Sequence, residues 1–201
     1  MERFRNELSA FINGLYEGEK KVLVFGEGRV GAPVMLIGEA PGEQESLQGR
    51  PFVGKAGKNL DAFLEGVGMD RGALYVTNTV KFRPTKLSPA GRVVNRPPTQ
   101  EEIGLFLPWL TREIALVDPR CVVTLGNVPL RALTGRGKTI GEVHGAFMDL
   151  EGRKLFPMYH PASIIYNPAL KAIYQQDIAR FAAWYRTLGG APERKVGESA
   201  K

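Results

Sequence analysis

Apolar positions along this chain change period several times, and each change marks an element. Over residues 2–16, Phe4, Leu8, Phe11, Ile12 and Leu15 recur at helical spacing on one face, which predicts an amphipathic helix. Two apolar runs of strand length follow, KVLVFGEG at 21–28 and PVMLIGE at 33–39. AGKNLDAFLEGVGM returns to helical spacing and closes at Gly68, and ALYVTNTV reads as the next strand. Residues 82–98, FRPTKLSPAGRVVNRPP, have no period and are broken by prolines, which predicts a long surface loop. Thr99 and Glu102 stand at capping-box spacing and open a helix running to about Val117. RCVVTLG is a strand, NVPLRALTG a short helix and KLFPMYHP a last strand, before the long helix PALKAIYQQDIARFAAWYRTL begun by proline.

Strands alternating with helices predict a three-layer α/β/α sandwich around a central, mainly parallel sheet of about four strands. Residues 1–188 are expected to form one domain and residues 189–201 a polar, disordered tail. In such sheets, ligands bind beyond the carboxyl ends of the strands. Four predicted strand ends carry GEAPGEQE, TN, LGN and HP, so polar, turn-forming groups converge on one rim. One exit is unusual: IGEAPGEQE, residues 37–45, puts Glu39, Glu43 and Glu45 at the mouth of an apolar strand.

That acid is the more notable because the chain is basic. Lys and Arg number 27 against 21 Asp and Glu, a net charge of +6, which is compatible with a polyanionic partner. No apolar run approaches the ~20 residues of a membrane span. The N-terminus MERFRNELSAF lacks the apolar core of a signal peptide, so neither a leader nor a membrane is expected. Cys121 is the single cysteine, which excludes an intrachain disulfide and fits a reducing, cytoplasmic location. GRPFVGKA, residues 49–56, nearly spells a phosphate-binding loop. However, Ala56 stands where a metal-binding hydroxyl is required, and no strand leads into it.

Taken together, GEAPGEQE, GRPFVGKAG, TNTVKFRP, NRPPT and HPASII resemble the uracil-DNA glycosylase superfamily, in the family's order, and most nearly its family 4 enzymes. The resemblance implies a monofunctional DNA-repair hydrolase. It would flip uracil out of single- or double-stranded DNA and hydrolyse the N-glycosidic bond, leaving an abasic site; a monomer is expected. Phe52 matches the residue that stacks on the flipped base. Asn78 matches the base-reading amide, able to accept from uracil N3–H and donate to O4, a pairing that cytosine reverses. His160 matches the catalytic histidine, whose hydrogen bond to uracil O2 would grow as the leaving base gains charge. Ile164, Ile165 and Tyr166 answer to the loop that wedges into the base stack. Ala40 can offer only its backbone to the base. The resemblance points to Glu39 and Glu45 as the site carboxylates, favouring an oxocarbenium centre or holding water, and to Asn95 as their support. Lys55, Lys58, Lys81, Arg83, Arg92 and Arg96 are candidates for phosphate contact. His144 has no such context and is expected to be structural.

Two departures qualify the resemblance. Family 4 enzymes hold a 4Fe–4S cluster on four cysteines, whereas the matching positions here are Phe11, Gly14, Phe82 and Phe106. Without thiolates no cluster forms, so no cofactor or metal is expected. The three phenylalanines should instead meet as an apolar plug. Second, TKLSPAGRVV, residues 85–94, lengthens a loop that in a self-cross-linking relative carries a nucleophilic histidine. Asn95 falls near that position, and an amide is a poor nucleophile, so hydrolysis is expected. A glycosylase for another deaminated base such as hypoxanthine, and a non-catalytic damaged-DNA-binding protein, are the alternatives.

Overall fold

The computed structural model describes residues 1–189; apart from Gly189, the expected tail lies outside them. Six strands form one sheet. They are β1 (Glu27–Gly28), β2 (Val34–Gly38), β3 (Tyr75–Asn78), β6 (Cys121–Leu125), β7 (Met148–Leu150) and β8 (Arg153–Met158), in spatial order β1-β3-β2-β6-β8-β7. The four inner strands run parallel and correspond to the four expected. The edge strands β1 and β7 pair antiparallel; β1 is the end of the predicted run 21–28, and β7 is an addition to the expected sheet.

Strand alternation fills both faces. Val34 and Leu36 of β2, Cys121, Val123 and Leu125 of β6, and Phe156 and Met158 of β8 point to one side. There they meet Leu60, Phe63 and Leu64 of α3 (Lys55–Val67) and Tyr174 and Phe181 of α8 (Leu170–Arg186). Met35, Ile37, Val122 and Leu155 face the other side, against Leu110, Ile114 and Val117 of α4 (Gln100–Val117) and Leu130 of α5 (Asn127–Thr134). A sheet covered on both faces needs continuous apolar strands, and β2, β3 and β6 are buried along their whole length. Thr99 accepts from the Glu102 N–H while Glu102 accepts from the Thr99 N–H, so the predicted capping box opens α4.

Three segments differ from expectation. Of the run 21–28, only Glu27 and Gly28 pair in the sheet; Leu23 and Phe25 pack instead on a satellite core. The expected loop at 82–98 contains a two-stranded antiparallel ribbon, β4 (Thr85–Leu87) with β5 (Val93–Asn95). Its Gly91 takes φ +71° in the turn, the left-handed conformation a tight reversal requires. Finally, a short helix α2 (Glu43–Gln48) follows β2 directly.

The satellite core gathers Phe82 and Phe106, two of the four positions that the resemblance matches to cluster ligands. Phe82 and Phe106 meet edge to face at 5.5 Å, and Tyr16 closes on Phe82 at 5.7 Å. Phe4, Leu8 and Ile12 of α1 (Glu2–Leu15) and Val80 complete it. The expected three-phenylalanine plug is corrected in one member: Phe11 lies on the outer side of α1, 41% exposed, and packs on Trp109 at 5.5 Å. Tyr16 takes the third aromatic place. Phe106→Ala should therefore cost roughly 3–5 kcal/mol in urea unfolding, and Phe11→Ala distinctly less. Equal costs would contradict this packing.

Candidate active site

The carboxyl ends of β2, β3 and β8 open onto a cavity of about 640 Å³, within the size range of small-molecule sites. Glu39, Ala40, Glu43, Glu45, Phe52, Asn78, Asn95 and His160 all line it, so the residues matched to base reading and catalysis reach one place.

Phe52 is held in a costly conformation. Its φ is +55°, a region that a bulky side chain enters only at a cost of order 1–3 kcal/mol. Four hydrogen bonds to charged groups hold that turn. The Glu45 carboxylate accepts from the Val53 and Gly54 N–H groups at 3.1 and 2.8 Å, while Arg71 donates to the Pro51 and Phe52 carbonyls at 2.9 and 3.0 Å. Such bonds contribute about 1.5–3 kcal/mol each, enough to outweigh the strain. On α3, Gly57 lets the Phe52 carbonyl approach so closely that an added Cβ would lie 1.9 Å from its oxygen. The Phe52 ring reaches across to Gly38, where a Cβ would lie 2.5 Å from Phe52 Cζ and 2.5 Å from Asn78 Oδ1. Ring and amide thus converge over a bare stretch of backbone.

Asn78 ends β3 beside Gly38. Its carbonyl accepts from Lys81 Nζ at 2.6 Å, and among the described residues its side-chain amide has no protein hydrogen bond. Lys81 is fully buried and also donates to Thr77 Oγ1 and to Glu113, at 2.7 and 2.6 Å. Glu113 in turn accepts from Tyr75 and Thr77. Burial pulls the Lys81 ammonium below its ordinary pKa, opposed by Glu113. Lys81 is therefore no phosphate contact, which corrects the expectation: its charge is spent inside the domain.

The other acids divide their tasks. Glu45 is buried, and its second oxygen accepts from the Gly42 N–H at 3.1 Å. It ties the two turns of the site together. Glu43 pairs with Arg83 at 3.3 Å near the surface. Glu39 is half-buried with no side-chain partner among the described residues, and burial raises its pKa above the ordinary carboxylate value. Asn95, on β5, accepts from Arg83 Nε at 2.6 Å through Oδ1, which leaves its NH₂ to donate.

His160 follows β8. Its Nδ1 accepts the Ala162 N–H at 3.2 Å, which leaves the ring proton on Nε2, and burial lowers its pKa. The imidazole is thus held neutral, with one donor to offer. His144, by contrast, bonds the buried Asp177 at 2.8 Å and lines no part of the cavity.

Of the expected wedge, only Ile164 can be placed. Ser163–Tyr166 form a single helical turn, in which Ile164 is half-buried: it packs against the core beside α3 and α8 and also lines a shallow surface pocket with them. The side chains of Ile165 and Tyr166 lie outside the described residues. Arg96 is also drawn inward, bidentate to Glu102 at 2.7 and 2.7 Å, while Lys55, Lys58 and Arg92 are exposed.

Sequence reading missed Arg71 and the Lys81–Glu113 network. A signal for the latter was present: Glu113 falls in step with Phe106, Leu110 and Val117 on the apolar face of α4, where an acid needs a partner.

Comparison with known proteins identifies the family. Residues 25–186 match the model of the uracil DNA glycosylase superfamily. The type-4 uracil-DNA glycosylase of Saccharolobus solfataricus is 38% identical over 170 residues, 80% of this chain and 75% of that protein. That of Pyrobaculum aerophilum is 38% identical over 190 residues, covering 90% and 89%. Pedobacter heparinus SMUG2, known from a crystal structure, shares the fold at a TM-score of 0.53 and 13% identity, with 95% of this chain and 86% of that one covered. The chain belongs to the uracil-DNA glycosylase superfamily. Within it, the resemblance runs to the type-4 enzymes.

The cluster of that branch has no footing here. Phe11, Phe82 and Phe106 carry no donor atom, and Gly14 faces open space. Cys121 is buried in β6, with its thiol pKa pushed up to about 12 by burial. Among the described residues no group of three or more His, Cys, Asp or Glu could hold a metal ion.

The contact at Gly38 gives a sharp test. An added methyl must displace the end of Asn78 or the Phe52 ring. Gly38→Ala is expected to lower uracil excision about 100-fold, the scale of a 1 Å misplacement, while circular dichroism stays unchanged. Wild-type excision would contradict the geometry.

Proposed function

We propose that this protein removes uracil from DNA by hydrolysing the N-glycosidic bond and leaves an abasic site without cutting the strand. The observation that carries the reading is the shared cavity, lined together by the ring of Phe52 on its strained turn, the Asn78 amide, which has no hydrogen bond among the described residues, and a neutral histidine. The flipped uracil stacks on Phe52 and lies against the backbone of Gly38–Ala40. Asn78 accepts from N3–H and donates to O4. His160 Nε2–H donates to O2 and stabilises the leaving anion as it forms, without itself carrying charge. Glu39, unpaired and half-buried, serves the cationic sugar or the attacking water, with the Asn95 amide as second support. Glu45 acts by holding the Phe52 turn, so its part is positioning. The protein works without a cluster, as a monomer, on single- or double-stranded DNA, with residues 1–188 as one domain. A cytoplasmic location fits its one buried thiol, and no described helix is long and apolar enough to cross a membrane.

One assay tests the reading: single-turnover release of base, in chelator, from oligonucleotides carrying one uracil, hypoxanthine or xanthine. Uracil should be released, and His160→Ala should slow release about 10²–10³-fold with little change in DNA affinity. Wild-type rates in that variant would remove His160 from the mechanism. No release of any base would leave only a binding protein.

The pH profile follows from the two shifted groups. Glu39 must be ionised, and its raised pKa moves that requirement upward. His160 must be neutral, and its lowered pKa extends the neutral form into acid. Excision should therefore be flat above about pH 7 and fall on the acid side, in the interval between ordinary carboxylate and imidazole values. Glu39→Gln should lower the plateau and shift the remaining limb toward more acid pH. A variant limb superimposable on wild type would exclude Glu39 as the titrating group.

A further inference from the structure

The β4–β5 ribbon stands at the mouth of the cavity, and nothing in the mechanism uses its outer half. Its base is part of the site: Pro84, Asn95 and Arg96 line the cavity. That base is fixed, because Arg96 is bidentate to Glu102, its N–H bonds the Pro84 carbonyl at 3.1 Å, and Arg83 holds Asn95 at 2.6 Å. The tip is ordered as well. Ser88 and Arg92 bond backbone to backbone at 2.8 Å, and Ser88 Oγ accepts from the Arg92 N–H.

Between these ends the surface is unusual. Leu87 and Val93 are cross-strand partners, 70% and 55% exposed. An isolated two-stranded ribbon is marginal in water, and two apolar side chains facing solvent do not stabilise it. Lys86 and Arg92 flank them, and no Asp or Glu occurs from Pro84 to Gln100. Apolar side chains framed by cations, beside a pocket for a flipped base, match a nucleic-acid strand: cations to phosphates, aliphatic groups to sugars and partly unstacked base faces.

We infer that the β4–β5 ribbon is a second DNA-engaging element, which holds the nucleotides flanking the flipped base. Leu87 lies three strand residues beyond Pro84 and Val93 two beyond Asn95, which at about 3.3 Å each carries the pair roughly 7–10 Å past the cavity rim. At 3.4 Å per step along a strand, that is about two to three nucleotides from the target. The ribbon thus supplies apolar contact outside the cavity. The inference rests on the glycosylase reading for the site's position on DNA.

The test is a flank-length series, with uracil oligonucleotides extended one nucleotide at a time on either side, assayed for excision and for binding. Wild-type efficiency should rise until one flank reaches about two to three nucleotides and then level off. Leu87→Ser/Val93→Ser should lose most of that gain, about tenfold on long substrates, and match wild type on the shortest. Because both side chains are exposed, its unfolding midpoint should be unchanged. Lys86→Gln/Arg92→Gln should lower the slope of log affinity against log salt by nearly two. Loss spread equally over short and long substrates, or none on long ones, would overturn the proposal, and self-association lost in the apolar variant would assign the ribbon to a protein contact instead. If the wild type released no uracil at all, the glycosylase reading would fail, while the binding arm would still decide the ribbon.

Discussion

The carboxylate of Glu45 is the interaction on which the site depends. Two turns that are separate in sequence, the Gly42 exit from β2 and the Phe52–Gly54 bend before α3, meet only because one buried side chain accepts three backbone N–H groups from both. The same bonds hold Phe52 at a φ it would otherwise avoid, and so aim its ring at Gly38. An acid-rich strand exit in a basic protein is then less paradoxical. Glu45 is held by backbone N–H groups, Glu43 pairs with Arg83, and of the three only Glu39 has no side-chain partner among the described residues.

Beneath that surface, the Lys81–Glu113 pair sets the other half of the site. Burying two charges gains little net stability, because desolvation offsets their attraction; removing one partner alone typically costs 3–5 kcal/mol. Its value is geometric. Lys81 spends its three donors on Thr77, Glu113 and the Asn78 carbonyl, so the backbone of Asn78 is fixed from below while its amide stays without a hydrogen bond among the described residues, as the proposed base reading needs. An amide already consumed by a protein partner could not discriminate uracil from cytosine. A backbone left loose could not hold the amide in the orientation that reads one and refuses the other.

How much of this was legible follows from the kind of signal each residue carried. The inner strands were legible because a doubly covered sheet demands unbroken apolar runs, and α4 because its capping box is local. The edge strands were not, since two or three residues pairing at a margin need no composition of their own. The run at 21–26 misled for the opposite reason: Leu23 and Phe25 are apolar because they cover the satellite core, not because they enter a ladder. Phe52, Asn78 and His160 came through family motifs. Lys81 read as a surface cation, because lysine almost always is one, and only the buried acid on α4 argued otherwise. Phe11 failed on rotation: it lies on a helix whose facing depends on packing that no local pattern states.

The replacement of cluster ligands by Phe82 and Phe106 bears on how the site is supported. A cluster would staple α1, the segment after β3 and α4 by bonds indifferent to the shape of what surrounds them. Here the same three segments are joined by side-chain packing, whose strength depends on complementary shape and on temperature. Ala40 rests directly on this core, and Val80, part of it, donates its N–H to the Glu39 carbonyl. Glu39, the acid proposed to serve the sugar or the water, is therefore carried on the roof of an aromatic core. On that proposal, the packing of Phe82, Phe106 and Tyr16 constrains catalysis as well as stability, even though none of the three reaches the cavity.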